Sequence, residues 1–505
     1  MRVIATLIVI AFAAAACSPA ASETTSTTTA QSTIATTTTT TTTTIAPTTT
    51  TTSSSAATSQ PSLGETTQSS IGDPLFPDLG NGGYDVKHYG LDLLWEPGSR
   101  TLTGAATIEA KALVDLDAFN LDFSGMTVER VEVDGTAAGF SLEAPELVIE
   151  PADPIAAGTT FTVAVSYHGV PQTQDSQAIS FGIGWVSGPG GEEFVVAEPD
   201  GAHTWFPAND HPLDKAPFDF TIVVPDGYLA AANGEFIGTE PAHRGPAGGI
   251  AWTWSMDQPM ATYLATVVIA EGWEIVDADD YGAVDIRHVL PLALADDPPP
   301  ALERTPEMIE FFEELFGPYP FDEYGIAVVD GFDAALENQT LSLFDVDAVA
   351  SPIFEYVLVH ELAHQWFGNS VSIGHWQDIW LNEGFATYAE FLWEEHINGP
   401  AAYDDFVAAR RRAVEQSNLR PPGDPPADDL FNASVYWWGG LTLAALREEV
   451  GADDFNNILR TYADERRYGN ATTADFVEVS ERISGLDLDE FFEAWLYGPT
   501  LPPEG

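Results

Sequence analysis

Positive charge is scarce in this sequence: 505 residues carry 18 Lys+Arg against 77 Asp+Glu, a formal net charge of −59. Only three residues are lysines, Lys87, Lys111 and Lys215. Binding to a duplex or a single strand needs clustered Lys and Arg, so nucleic acid is excluded as a partner. The same deficit excludes electrostatic docking on anionic lipid. An acidic excess of this size fits a high-salt habitat, which is a property of solubility and not of chemistry. Cysteine is nearly absent as well. Cys17 stands alone, which leaves no disulfide framework and no thiolate nucleophile or metal site further along. The one long apolar run, Val3 to Ala16, has the length of a signal-peptide core and is too short for a comfortable membrane span. Hydrophobic residues nevertheless make up 45% of the chain, with 13 Trp and 28 Phe. The chain is therefore globular, with room for two or three domains.

The start of the chain, Met1-Arg2 followed by the apolar run and Ala14-Ala15-Ala16-Cys17, resembles a bacterial lipoprotein signal. The n-region carries a single positive charge, and Ala14 stands where Leu is common. That resemblance implies lipidation of Cys17 and an extracytoplasmic protein anchored to the bacterial cell membrane. An ordinary cleaved signal with an incidental cysteine is the alternative. Residues 18–72 form a Thr/Ser-rich linker, with an unbroken threonine run from Thr36 to Thr44. A flexible chain of ~50 residues reaches roughly 40 Å, enough to hold a domain clear of a membrane.

From Tyr84 to about Trp273 the texture is β. Apolar and polar residues alternate in Phe161–Tyr167, Val128–Val133 and Phe218–Val224, with turns at Asp134-Gly135 and Pro225-Asp226-Gly227. After Pro300 helical patterns dominate: Thr305–Phe316, Ile353–Phe367, Ile379–His396, Ala401–Gln416, Gly439–Val450, Asp453–Tyr462 and Thr473–Ser484. Short strands are expected at Tyr324–Asp330 and Leu341–Phe344. The fold class is multidomain, an N-terminal all-β sandwich or saddle over 73–275 followed by an α+β, mostly helical domain over 276–505.

The chemistry begins at His360-Glu361-Leu362-Ala363-His364. Two histidines four apart on a helix share a face, so both imidazoles can bind one zinc ion while Glu361 points into the same place. Alone this is a modest signal. A catalytic zinc wants a third protein ligand, and Glu383 in Trp380-Leu-Asn-Glu383-Gly supplies a carboxylate after 18 intervening residues. That interval fits a helix end, a loop and a second helix packing back on the first.

His360 to Asn369 (His-Glu-Leu-Ala-His-Gln-Trp-Phe-Gly-Asn) with Trp380-Leu-Asn-Glu383-Gly resembles the gluzincin signature of the M1 family of zinc aminopeptidases, relatives of aminopeptidase N and leukotriene A4 hydrolase. The thermolysin family has one more residue between its ligands. The resemblance implies a thermolysin-like catalytic domain and one Zn²⁺ per chain held by His360, His364 and Glu383. It makes Glu361 the general base and Glu390 the carboxylate that orients a ligand histidine. Ala334-Ala335-Leu336-Glu337-Asn338 resembles the family's Gly-x-Met-Glu-Asn exopeptidase motif, with Ala334 for Gly and Leu336 for Met. It implies substrate backbone contacts at Ala334 and Ala335 and an ammonium-binding carboxylate at Glu337. The segment Ala197-Glu198-Pro-Asp-Gly-Ala-His203 to Lys215 is similar to a family segment that places Glu198 beside Glu337. His203 there replaces an Arg and Ala208 a Cys. Val435-Tyr436-Trp437-Trp438-Gly439 resembles a family helix opening whose tyrosine, here Tyr436, stabilises the oxyanion. Trp438 takes the place of a basic residue.

The reaction these resemblances imply is release of N-terminal residues from peptides by a zinc-bound water that Glu361 activates. They also imply a short form, without the helical C-terminal domain of many relatives, and therefore an open cleft. An endopeptidase or another small-substrate hydrolase with an open cleft remains an alternative, as does a non-catalytic surface-binding protein on the same fold. Retention of Glu361 speaks against the last.

Overall fold

The computed structural model describes residues 70–503, apart from 180, 246, 247 and 279, together with Leu63. The signal, Cys17 and nearly all of the Thr/Ser-rich linker lie outside the described residues. Among the described residues no helix is long and apolar enough to cross a membrane.

The first half is built on an eight-stranded sheet whose alternating pattern has one face buried. Its centre is Tyr84–Glu96, which pairs antiparallel with Thr101–Ala112 and parallel with Ala216–Val224. Thr160–Gly169 and Thr127–Val133 extend it on one side, Ile250–Met260 and Glu235–Pro241 on the other. Every second residue of Thr160–Gly169 is buried from Phe161 to Tyr167, the period of two read in the sequence. A five-stranded sheet includes Glu193–Val196, buried along its whole length, and leads directly to Glu198. Tyr89, Phe206 and Phe218 lock the sheet to the following loop by edge and stacked contacts, centroids 4.6–5.9 Å apart.

The second half begins earlier than the sequence pattern indicates. Trp273–Asp277, read there as the end of the β domain, pairs antiparallel with Asp285–Pro291. Asp285–Pro291 in turn runs parallel to Ile326–Val329, so both strands belong to the catalytic sheet. Strand chemistry is the same in both halves, and only long-range pairing assigns a strand to its sheet. Ile326–Val329 is buried throughout, as expected of a parallel central strand, and pairs with Ser342–Asp345. The edge is the two-residue strand Ala335–Leu336.

Among the described residues this half has seven helices of ten residues or more: α1 (Thr305–Phe316), α2 (Phe354–Ala363), α3 (Trp380–Asn398), α4 (Pro400–Gln416), α5 (Gly439–Val450), α6 (Ala452–Glu465) and α7 (Thr473–Ser484). In α1 the buried residues Thr305, Met308, Ile309, Phe312 and Phe316 recur at helical spacing, and Gly317 at φ 94° ends it. Helix α3 is different, with every residue from Trp380 to Trp393 buried. A helix buried on all sides must find partners for its polar residues, which here include Asn382, Glu383, Thr387 and Glu390.

The halves are joined by side chains that bond main chain across the junction. Lys215, half-buried, donates to the carbonyls of Asn369 (2.7 Å), Ser370 (3.0 Å) and Gly469 (3.4 Å). Burial pulls its ammonium down to about 7. Asn233 donates to the carbonyl of Gln339 at 2.7 Å, and the backbone N–H of Gly234 donates to Thr340 Oγ1 at 2.8 Å.

Candidate active site

Helix α2 ends at Ala363, with His364 at its C-cap, four residues short of the predicted end at Phe367. The reason is local. Gln365 and Trp366 donate three residues back, to Leu362 and Ala363, and Gly368 turns the chain at φ 126°. The bond from His364 N–H to the His360 carbonyl (3.2 Å) keeps the two rings on one face. Helix α3 brings Glu383 against them: its Oε2 lies 3.3 Å from His360 Nε2 and 3.5 Å from His364 Nε2. All three side chains are buried, their donor atoms within 4.8 Å of one another. Zinc–ligand bonds of about 2.1 Å in a tetrahedron require ligand separations of ~3.4 Å. The carboxylate's separations of 3.3 and 3.5 Å from the two imidazoles match that requirement, and the donor set suits zinc.

The outer nitrogens are tied down. His360 Nδ1–H donates to Glu390 Oε1 at 2.9 Å, and His364 Nδ1–H to the Phe367 carbonyl at 3.1 Å, which turns both Nε2 atoms to the centre. Glu390 lies seven residues after Glu383 on the same helix face, and Arg410 of α4 stands 3.8 Å from its other oxygen. The Arg410 guanidinium also sits 5.0 Å over the Trp437 ring, so a cation from another helix approaches the stretch where Trp438 replaces a base. Burial would raise the Glu383 carboxyl, but His364 and His360 hold it down at about 2. Glu361, one residue from a ligand, is pushed up to about 8, mainly by burial.

Glu198 arrives from the first half and Glu337 from the edge strand. Both are buried, and among the described residues neither Glu198 Oε1 nor Glu337 Oε1 has a hydrogen-bond partner. Burial pushes the Glu198 carboxyl well up, and Glu337 and Glu383 push it further. Glu337 is raised too, by burial first, with His364 opposing. The His203 substitution is absorbed locally: its Nδ1 lies 2.8 Å from Asp210 Oδ2, and Thr262 donates to the other oxygen of Asp210 at 2.8 Å. Ala334 is accommodated because the left-handed φ of that turn falls on Asp333 (56°) and not on Ala334. Tyr436 lies in the turn Ser434–Trp438 before α5, its ring nearly parallel to His360 (22°) at 5.9 Å. Burial raises its hydroxyl well above the ordinary value, and Glu383 and Glu198 add to this, so it stays protonated and able to donate.

Several positioning residues escaped the sequence reading. Gln365 and Asn369 both donate to the Glu337 carbonyl, at 3.1 and 2.7 Å, although 28 and 32 residues separate them from it. Both lie inside the His360–Asn369 motif, but their target is visible only in three dimensions. Tyr263, from the first half, accepts from Asn382 at 3.4 Å beside the three carboxylates.

A β-rich half and a helical half carrying a His₂Glu cluster fit for zinc give the chain the two-part fold and the site seen in zinc metallopeptidases. Residues 85–264 match the Peptidase M1 N-terminal domain and residues 300–495 the Peptidase family M1 domain. The chain is similar to an M1 zinc metallopeptidase of Deinococcus radiodurans, at 30% identity and a TM-score of 0.79, over 86% of this chain and 98% of that one. A mutant of that enzyme bound to a Tyr-Ser-Ala substrate matches equally well, at 30% identity and a TM-score of 0.79, over 86% of this chain and 99% of that one. Aminopeptidase Q of Homo sapiens is 30% identical over 69% of this chain and 38% of its own length. Aminopeptidase M1 of Arabidopsis thaliana is 28% identical over 59% of this chain and 36% of its own length. The chain thus spans well under half the length of these curated relatives. It belongs to the M1 peptidase family.

Proposed function

We propose that this protein is a zinc aminopeptidase that releases N-terminal residues from peptides. The observation that carries the reading is the pair of unpartnered, buried oxygens of Glu198 and Glu337 next to the His360/His364/Glu383 centre. Two buried carboxylates facing one space are costly unless a cation joins them, and a peptide's α-ammonium is a cation of the right size. The tripeptide substrate of the Deinococcus enzyme is of this class.

His360, His364 and Glu383 would hold the zinc ion, which when bound would supply Lewis acidity and make a water molecule easier to deprotonate. Glu361 accepts the proton of the attacking water and passes it to the leaving amine. The Tyr436 hydroxyl donates to the scissile carbonyl oxygen as it gains charge. Glu198 and Glu337 fix the ammonium, so that the first peptide bond is the one presented. The open side of Ala335–Leu336 offers backbone groups to an extended peptide, in the manner of an added strand.

The test is cleavage of amino-acyl anilides with free and N-acetylated amines by the zinc-loaded protein, beside Glu361→Gln. Cleavage of the free-amine forms alone, lost in the variant, supports the reading. Equal cleavage of the acetylated forms rejects the ammonium anchor and makes the enzyme an endopeptidase.

The location proposed is extracytoplasmic, with a lipid on Cys17 as the anchor. Its support is the Ala14-Ala15-Ala16-Cys17 sequence after an apolar run. Cys17→Ser should move the protein from the membrane fraction to the soluble one, and unchanged partitioning would refute the anchor.

A further inference from the structure

Glu198 and Glu337 come from different halves of the fold, so holding one ammonium between them needs the halves in register to within about 1 Å. One aromatic side chain connects the strands that lead to them. Phe332, 3% exposed, lies five residues before Glu337, in the turn between Ile326–Val329 and Ala335–Leu336. Its ring meets two rings of the first half, Phe194 with centroids 5.8 Å apart and Phe181 edge-on at 6.2 Å. Phe194 is fully buried in Glu193–Val196, the strand that runs on to Glu198.

The turn that carries Phe332 is held by a single carboxylate. Asp345 Oδ2 accepts from the N–H groups of Gly331 (2.9 Å), Phe332 (3.2 Å) and Asp333 (3.2 Å), and Oδ1 from that of Asp347 (2.9 Å). The Asp345 N–H donates to the Ala334 carbonyl at 2.9 Å. Gly331 at φ 114° and Asp333 at φ 56° make the turn tight enough to aim three consecutive N–H groups at one oxygen. Asp345 also ends Ser342–Asp345, the strand that pairs with Ala335–Leu336, so the Phe332 ring and the backbone before Glu337 are fixed to the same strand. We propose that Phe332 is a positioning residue for the ammonium site: seated on Phe194 and Phe181 by the turn that Asp345 holds, it sets the spacing between Glu198 and Glu337. This rests on the ammonium-binding role proposed above. Phe332 acts through the two strands, whereas His360, Glu361 and His364 lie on and beside α2 and Tyr436 before α5, so its loss is felt in KM and hardly in kcat.

The experiment is measurement of KM and kcat of the zinc-loaded full chain on amino-acyl anilides with free and N-acetylated amines, for the parent, Phe332→Ala, Phe332→Leu and Phe455→Ala. Phe455, fully buried in α6 against Tyr388 of α3, is a core truncation of equal size outside this contact. Phe332→Ala should raise KM for the free-amine substrates about tenfold, with kcat within about twofold of the parent. Phe332→Leu, which keeps much of the bulk, should bring KM back to about two- to threefold above the parent, and it decides the matter if the alanine variant does not fold. Phe455→Ala should lower the melting temperature and leave KM where it was. Unchanged KM in the folded Phe332 variants, or an equal rise in Phe455→Ala, would overturn the proposal and leave the aminopeptidase reading in place. Equal cleavage of the acetylated anilides by the parent would overturn that reading, and the proposal with it.

Discussion

Gly384 and Gly439 touch backbone to backbone. A Cβ on Gly384 would stand 3.0 Å from Gly439, and one on Gly439 would stand 2.9 Å from the Gly384 Cα. Gly384 follows Glu383, and Gly439 lies three residues after Tyr436, so this contact joins the two backbone segments that carry those side chains. Gly384→Ala or Gly439→Ala should destabilise the fold by about 1–3 kcal/mol. The displacement should also lower kcat/KM by roughly 10²-fold. Thermal melts read against peptidase rates check this, and unchanged rates would show that the contact matters only to packing.

Glu390 and Glu361 should separate cleanly. Glu390→Gln leaves the His360 Nδ1–H without its charged acceptor, so zinc affinity should fall about 10–100-fold in chelator competition. Glu361→Gln should bind zinc normally and lose about 10²–10⁴-fold in kcat. Similar zinc affinity in parent and Glu390→Gln would refute the orienting role.

The two ammonium anchors are predicted to act together. Glu198→Gln and Glu337→Gln each remove a charged hydrogen bond of about 1.5–3 kcal/mol, so KM for free-amine substrates should rise roughly 10–100-fold in each. The double variant should lose less than the sum, because Glu337 raises the Glu198 carboxyl and the two changes are therefore coupled. Substrates with acetylated amines should respond to neither change.

Helices were the legible part of the sequence. Thr305–Phe316, Gly439–Val450 and Thr473–Ser484 have in the structure the limits read from their periodicity, since each is an apolar stripe closed by a glycine, Gly317, Gly451 or Gly485. His360, His364 and Glu383 were legible because helical spacing and one packing step determine their meeting. Sheet order was not. Nothing local tells Tyr84–Glu96 to lie parallel to Ala216–Val224, or Trp273–Asp277 to join the second sheet. The Gln365 and Asn369 bonds to Glu337, the Arg410 approach to Glu390 and the Gly384–Gly439 contact likewise exist only after the chain has folded.

Asp214 links stability to pH. It is fully buried, accepts from Asn209 (2.6 Å) and from the Val86 N–H (3.1 Å), and burial raises its carboxyl to about 8. A folded pKa above the unfolded one means that its stabilising contribution is complete below about pH 3.9 and disappears as pH rises through about 8. The slope from this group is at most about 1.4 kcal/mol per pH unit. Asp214→Asn should lose less stability than the parent between pH 5 and pH 8 in denaturant melts, and an identical loss would exclude Asp214 as the source.

Lys215 grips three carbonyls of the opposite half, while Glu198 crosses the same junction to stand beside the metal ligands. Neither half carries a complete site, and neither presents a junction that a foreign partner would match by chance. A hybrid made by exchanging one half with a relative would need the donor lysine, the acceptor loop and the ammonium-binding glutamates to match all at once. The junction between the halves is therefore part of the site, and either half taken alone carries only some of its residues.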